Sequence, residues 1–201
     1  MIAIRALASS DIPIISELHV RYLRTTFAGT PGMKLLSYYY QQVADRVGSC
    51  GFVAERNGEI MGFICGVWEP QSLHNSLIRK CWLGVIISTI HLTVSEPQRA
   101  LRFLSRIRAK ENGQDGEGFE LRPIVLVPKA RGTGVASRLV NALLREARRM
   151  GYCKVYLWAE ADNVAANRFY RKVGFKPLGG DNHHGNLSTK LEKPLAQAIE
   201  Q

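Results

Sequence analysis

Val127-Pro128-Lys129-Ala130-Arg131-Gly132-Thr133-Gly134-Val135-Ala136-Ser137 joins an apolar run to the start of a helix through a chain of small residues. Glycines 132 and 134 let the backbone come close to a ligand. The unpaired N–H groups of a new helix, at the positive end of its dipole, would point at an anion lying there. Arg131 adds a charge. Glycines also serve ordinary turns, so the loop alone leaves both readings open, a pyrophosphate cradle and a plain turn.

Working outward, Phe119 to Val127 reads as a strand. Within it Pro123 withholds one ladder donor, the mark of a bulge or of neighbouring strands that separate. On the other side a helix runs from about Thr133 to Met150 and stops at Gly151, and Lys154 to Ala159 is a short apolar strand. Asn163 to Val173 is a helix ended by Gly174, and residues 175 to 193 offer two short strands around the polar loop Gly179 to Gly185. Nearer the N-terminus, residues 2 to 6 alternate like a strand. Ser10 and Asp11 then start a helix carrying Ile14, Ile15, Leu18 and Tyr22 at helical spacing, and a second helix covers about Met33 to Val47. Residues 51 to 56 and 59 to 67 flank Asn57-Gly58, a dipeptide suited to the positive φ angles of a tight hairpin turn. Residues 73 to 110 read as helical in two pieces, broken near Ser95-Glu96-Pro97. This order describes an α/β (α+β) chain with a mixed sheet covered by helices, and it shows no internal repeat.

The 201 residues, 46% of them hydrophobic, suffice for one domain spanning 1–201. The net charge of +10 favours anionic partners without choosing among nucleotides, phosphorylated cofactors, nucleic acid and acidic membrane. Cys50, Cys65, Cys81 and Cys153 lie far apart and show no metal-site spacing, so neither a metal nor a disulfide framework is expected. The N-terminus lacks the apolar run and cleavage site of a signal peptide. The most apolar stretch, Cys81 to Leu92, is about half the roughly 20 residues a spanning helix needs. A cytoplasmic protein is expected.

The loop reads Arg131-x-x-Gly134-x-Ala136 after an apolar strand. Asn163 follows 27 residues after Ala136 and opens Asn-x-x-Ala-x-x-x-Tyr on a helix ending in Gly174-Phe175. That combination resembles the GNAT N-acetyltransferase superfamily, well over about residues 119 to 176 and more loosely over the hairpin. Residues 70–118 are longer than the superfamily's usual connection, and a helical insertion is expected there. The resemblance implies a mostly antiparallel sheet of about seven strands flanked by helices, acetyl-CoA as co-substrate without a metal, and transfer of acetyl to a primary amine. Arg131, Gly132, Thr133, Gly134, Val135, Ala136 and Ser137 would wrap the pyrophosphate, and the backbone at Ile124 and Leu126 would bond the pantetheine arm like an added strand. Asn163 would bond the pantetheine amide. Tyr170 would sit near the sulfur as general acid, and its competing reading is packing beside Phe169 and Phe175.

The general base is open between two carboxylates. Leu157 and Ala159 share a core face, which leaves Trp158 and Glu160 toward the cofactor. Superfamily members often place an acid in this strand. Trp158 occupies one such position, so Glu160 is a candidate by proximity. Glu120, read as sharing the face of Ile124 and Leu126, is the second. His19 either lines an acceptor pocket or is a satisfied packing residue. His183 and His184 lie on a loop without further metal ligands. Arg99, Arg102, Arg106, Arg108 and Lys110 form either a solvated helix face or a docking face for an anionic substrate. Specific nucleic-acid binding is not expected, while peripheral membrane contact and homodimerisation stay open. Leu18-His19, Phe27 and Tyr38-Tyr39-Tyr40 are faintly similar to acetyltransferases of surface-glycan synthesis, so the expected acceptor is a small-molecule amine such as an amino sugar. The alternatives are a protein N-acetyltransferase and a non-catalytic CoA- or nucleic-acid-binding module.

Overall fold

The computed structural model describes residues 1–23, 29–68, 118–183 and 186–195. The chain order is β1 (Ala3–Ala6), α1 (Ile12–Tyr22), α2 (Gly29–Asp45), β2 (Ser49–Arg56), β3 (Glu59–Val67), β4 (Phe119–Leu126), α3 (Val135–Arg149), β5 (Lys154–Glu160), α4 (Val164–Lys172), β6 (Lys176–His183) and β7 (Asn186–Pro194). The seven strands form one sheet in the order β1-β2-β3-β4-β5-β7-β6. Every neighbouring pair is antiparallel except β4 with β5.

That exception matters. The parallel ladder holds only Phe119 opposite Val155 and Glu120 opposite Tyr156. Beyond this point the strands diverge, and β4 keeps pairing only with β3 on its other edge. Pro123, with no N–H to offer, lies just past the last pair. The register between β3 and β4 shifts by one residue there, while over the same stretch β3 keeps register with β2, from Ile64 opposite Phe52 to Gly66 opposite Cys50. The extra residue is therefore a bulge in β4, at Arg122-Pro123.

The bulge decides which face each side chain takes. Antiparallel partners share a face, and Glu120 lies opposite Val67 whereas Ile124 and Leu126 lie opposite Ile64 and Gly62. Odd and even positions of β3 point to opposite sides. Glu120 therefore does not share the face of Ile124 and Leu126, as simple alternation predicts. It joins Phe63, which meets the Tyr40 ring of α2 at 5.4 Å. The opposite face carries α3, since a Cβ on Gly66 would collide with the Phe119 ring and with Leu143 of α3. The right-handed β4-α3-β5 and β5-α4-β6 crossovers step the same way across the sheet, so α4 lies on the α3 side.

Helix α3 buries Val135, Leu139, Val140, Leu143, Leu144 and Ala147 at helical spacing and exposes Arg138, Arg145, Arg148 and Arg149. Each large apolar side chain so buried stabilises the fold by about 1.5–3 kcal/mol before entropy is counted. The hairpin turn is the expected one, with Asn57 at φ 51° and Gly58 at φ 77°.

Some boundaries differ from the sequence reading. Helix α2 starts at Gly29 and ends at Asp45, with Pro31 in its first turn, where a missing N–H costs nothing. Asp11 precedes α1 but gives it no side-chain cap. Its carboxylate instead accepts from Arg5 at 2.6 and 2.9 Å and from the Ala8 amide at 2.9 Å. Strand β6 continues to His183, so Gly179 to His183 pair with β7 as strand. The helical insertion expected over 70–118 lies, apart from Gly118, outside the described residues, as do the basic residues 99–110 and His184.

Candidate active site

Val127 N–H donates to the Met61 carbonyl at 3.0 Å, which fixes the edge of β4 that faces β3. Alternation then turns the backbone groups of Ile124 and Leu126 the other way, toward the gap that opens between β4 and β5. Arg131 Nε donates to the Leu126 carbonyl at 3.3 Å, and its guanidinium lies 5.7 Å from the Tyr22 ring. A cavity of about 200 Å³ opens here, lined by Tyr22, Leu23, Ile124, Val125, Leu126, Arg131, Ala136 and Phe169. A larger cavity of about 640 Å³ lies between α1 and the hairpin tip and shares Tyr22 with it, but no candidate site residue lines it.

The glycine loop continues from this edge. Gly132 and Gly134 take φ angles of 74° and 81°, and a Cβ on either would meet nothing within 4 Å. Glycine is demanded there by the left-handed backbone, not by crowding. Thr133 Oγ1 donates to the Ala130 carbonyl at 2.7 Å, inside the loop. Gly134 is the N-cap of α3, and no side chain caps that helix, so its first N–H groups face outward beside Arg131. Ala136 and Ser137 are half-buried and Val135 is buried in the core. An open strand edge running into an uncapped, glycine-led helix start fits an extended amide-bearing arm that ends in a pyrophosphate. Acetyl-CoA has that shape.

At α4 the arrangement differs. Asn163 Oδ1 accepts from Ala166 N–H at 3.1 Å, so this side chain caps its own helix. Asn167, which the sequence reading passed over, donates to the carbonyls of Glu160 at 2.8 Å and Asn163 at 2.9 Å, pinning α4 to the end of β5. Tyr170 is buried, 5.3 Å from the Phe169 ring and 5.8 Å from Phe175. Burial pushes its phenol up, which keeps the proton on at neutral pH. The packing role is therefore real, and it also leaves the hydroxyl in the state a proton donor needs.

Glu120 and Tyr156 are the last paired residues before the strands part. Parallel partners share a face, so both lie on the α1/α2 side together with Trp158 and Glu160. Glu120 is only 5% exposed, its Oε2 lies 3.0 Å from Arg122 Nη2, and Tyr156 OH donates to it at 3.5 Å. From β7, Lys190 reaches over the rings of Tyr156 (4.8 Å) and Trp158 (5.6 Å). Glu160 lies four residues beyond the last pair, about 13 Å along the strand, opposite Ser188. Sequence reasoning missed Tyr156, Arg122 and Lys190. The alternation that placed Trp158 and Glu160 could have found Tyr156, but not the other two.

His19 is half-buried, its Nδ1 hydrogen-bonds Tyr40 OH, and burial lowers its pKa to about 4, so it is neutral at neutral pH; it lines neither of these two cavities, which favours its packing reading. Among the described residues no cluster of His, Cys, Asp or Glu is suited to hold a metal, and no helix is long and apolar enough to cross a membrane.

The profile of the acetyltransferase (GNAT) family matches residues 16–175. The chain belongs to that family. Its curated relatives include an uncharacterised N-acetyltransferase of Mycobacterium tuberculosis, 31% identical over 96 residues, which are 43% of this chain and 58% of that protein. A mycothiol acetyltransferase of Nocardia farcinica is 37% identical over 99 residues, 49% of this chain and 31% of that one. The match thus spans little more than half the length of the first and a third of the second. Among solved structures, the ribosomal-protein-S18-alanine N-acetyltransferase of Escherichia coli aligns with a TM-score of 0.62 at 16% identity, covering 100% of this chain and 98% of that one. At that identity the likeness shows the fold: a mixed, mostly antiparallel seven-stranded sheet with flanking helices.

Proposed function

We propose that this GNAT chain is an acetyl-CoA-dependent N-acetyltransferase that moves the acetyl group onto a primary amine of a small molecule. The observation carrying the proposal is the parted β4–β5 seam, with the Ile124 backbone and the Leu126 amide turned into the gap on one side and Glu120 buried at its closed end. The relatives named for mycothiol acetylation favour a small acceptor, an amino sugar derivative among the classes to test first.

Each residue then has a role. The backbone at Ile124 and Leu126 binds the pantetheine arm. Arg131 and the Gly132–Ser137 segment take the pyrophosphate at the uncapped start of α3. Asn163 holds the start of α4 and offers its amide nitrogen to the arm. Glu120 attracts the acceptor's ammonium and takes its proton as the amine attacks the thioester carbonyl, with Tyr156 and Arg122 holding the carboxylate in place. Tyr170 returns a proton to the departing thiolate. Glu160 stands too far from the closed end of the seam to be the first choice of base.

The test is an acceptor screen reading free thiol release from acetyl-CoA across amino sugars, amino acids, polyamines and peptides. A saturable small-molecule acceptor is the expected result. Turnover confined to peptides would favour a protein N-acetyltransferase, and a cofactor that binds without any turnover would favour a non-catalytic module.

A further inference from the structure

We propose that Tyr22, the last residue of α1, is a positioning residue for the cofactor: its ring holds the Arg131 guanidinium at the place where the coenzyme A pyrophosphate arrives. This rests on the acetyltransferase reading above and extends the cofactor site to α1, on the other face of the sheet from α3.

Arg131 is held at two points. Its Nε donates to the Leu126 carbonyl at 3.3 Å, so the main-chain acceptor at the outer end of the seam is taken by this side chain. The groups of β4 that an extended arm can use therefore end at the Leu126 amide, and the guanidinium stands next along the line. With Nε spent on a carbonyl, the Nη groups are the ones that can meet an anion. A guanidinium on its long stem would sample many rotamers, and fixing it at the moment of binding would cost affinity. The Tyr22 ring removes part of that cost. The guanidinium carbon lies 5.7 Å from the ring centroid, inside the roughly 6 Å over which a ring face attracts a cation. A ring face uses none of the N–H donors, so it orients the guanidinium without competing with the pyrophosphate. A carboxylate in the same place would compete directly. The ring stands on a fixed support: Ile15 and Leu18 of α1 are buried in the core, and Leu23 N–H donates to the His19 carbonyl at 2.9 Å, closing the helix end. Tyr22 and Arg131 also line the cavity of about 200 Å³ together with Ile124 and Leu126, so ring, cation and strand edge surround one space.

The test is a double-mutant cycle on coenzyme A affinity, read by calorimetric titration of wild type, Tyr22→Leu, Arg131→Gln and the double variant. Tyr22→Leu should weaken binding about twofold to fivefold, the worth of one exposed cation–π contact. Tyr22→Phe keeps the ring face and should bind as wild type does. In the Arg131→Gln background, Tyr22→Leu should weaken binding no further. In the thiol-release assay the loss should fall on KM for acetyl-CoA, with kcat kept. A tyrosine that only packs would lower affinity equally in both backgrounds. That equal loss, full affinity in Tyr22→Leu, or a Tyr22→Phe as weak as Tyr22→Leu overturns the proposal. A wild type that binds coenzyme A while Arg131→Gln binds it equally well also overturns it and leaves the acetyltransferase reading standing. No binding by wild type overturns both.

Discussion

The two faces of the sheet are built on different principles. The face covered by α3 and α4 is packed with apolar side chains such as Phe119, Leu139, Leu143, Leu157 and Phe175, and its chemistry lies in backbone: an open strand edge and an uncapped helix start. The α1/α2 face holds polar side chains in the interior. Glu120 and Ser188 are buried on it by the register of β4 and β7, while Asp11 and Ser16 are buried in and just before α1. A cofactor shared by a whole family can be gripped by main chain, which tolerates sequence change. Selecting an acceptor and moving its proton requires particular side chains; in the proposed mechanism Glu120, with Tyr156 and Arg122 beside it, supplies them on the other face, and Tyr170 of α4 is the exception.

That contrast breaks if one residue from each face fails to behave as assigned. Tyr170→Phe on the α4 side and Glu120→Gln on the α1/α2 side should each lower turnover by roughly 10² to 10⁴, with cofactor affinity nearly unchanged, in a chemistry-limited thiol-release assay. A structural tyrosine would instead lose stability and keep its turnover.

Gly134→Val attacks the backbone face. The left-handed φ of 81° makes any side chain there cost about 1–2 kcal/mol, so acetyl-CoA affinity should fall about tenfold or more. Calorimetric titration reads this directly, and wild-type affinity in the variant would mean that the loop does not hold the pyrophosphate.

The α1/α2 face has a pH signature of its own. His19 is neutral down to about pH 4 when folded but titrates near 6.5 when unfolded, so below pH 6.5 the unfolded chain binds the extra proton. Stability should fall as pH drops from 6.5 toward 4 and stay flat above that window, as far as this residue is concerned. Urea unfolding should show wild type losing about 1–2 kcal/mol more than His19→Gln between pH 7 and 5. Parallel curves for the two proteins would contradict a histidine held neutral by partial burial.

The smallest effect belongs to the other helix start. Asn163→Ala removes the cap on α4 and should cost about 1 kcal/mol of stability, while Asn163→Asp should retain most of it. An affinity loss without a stability loss would move Asn163 from capping to cofactor contact.

Much of the backbone face was legible in the sequence, because glycine, proline and asparagine act locally. Gly134 at a positive φ, Gly174 after α4 and Pro123 at the parting of the strands each announce a backbone requirement at their own position. The side-chain face was less legible because it depends on register. One extra residue at Arg122-Pro123 reverses alternation along β4, so Glu120 moved to the face opposite Ile124 and Leu126, and no local signal marks which neighbour absorbs the bulge. Lys190 comes beside Trp158 through strand pairing with a residue 32 positions earlier, which periodicity cannot see. Asp11 looked like a helix cap, but Arg5, brought near by the strand before it, offered its carboxylate a charged partner.

The central claim is that the edge of β4 facing the gap binds the cofactor arm, and amide hydrogen exchange on the free protein and with coenzyme A measures it residue by residue. The Ile124 and Leu126 amides should exchange quickly when free and slow by at least tenfold with coenzyme A at saturation, whereas Val125 and Val127, turned toward β3, should be protected in both states. Unchanged exchange at Ile124 and Leu126 under saturating coenzyme A would contradict the account.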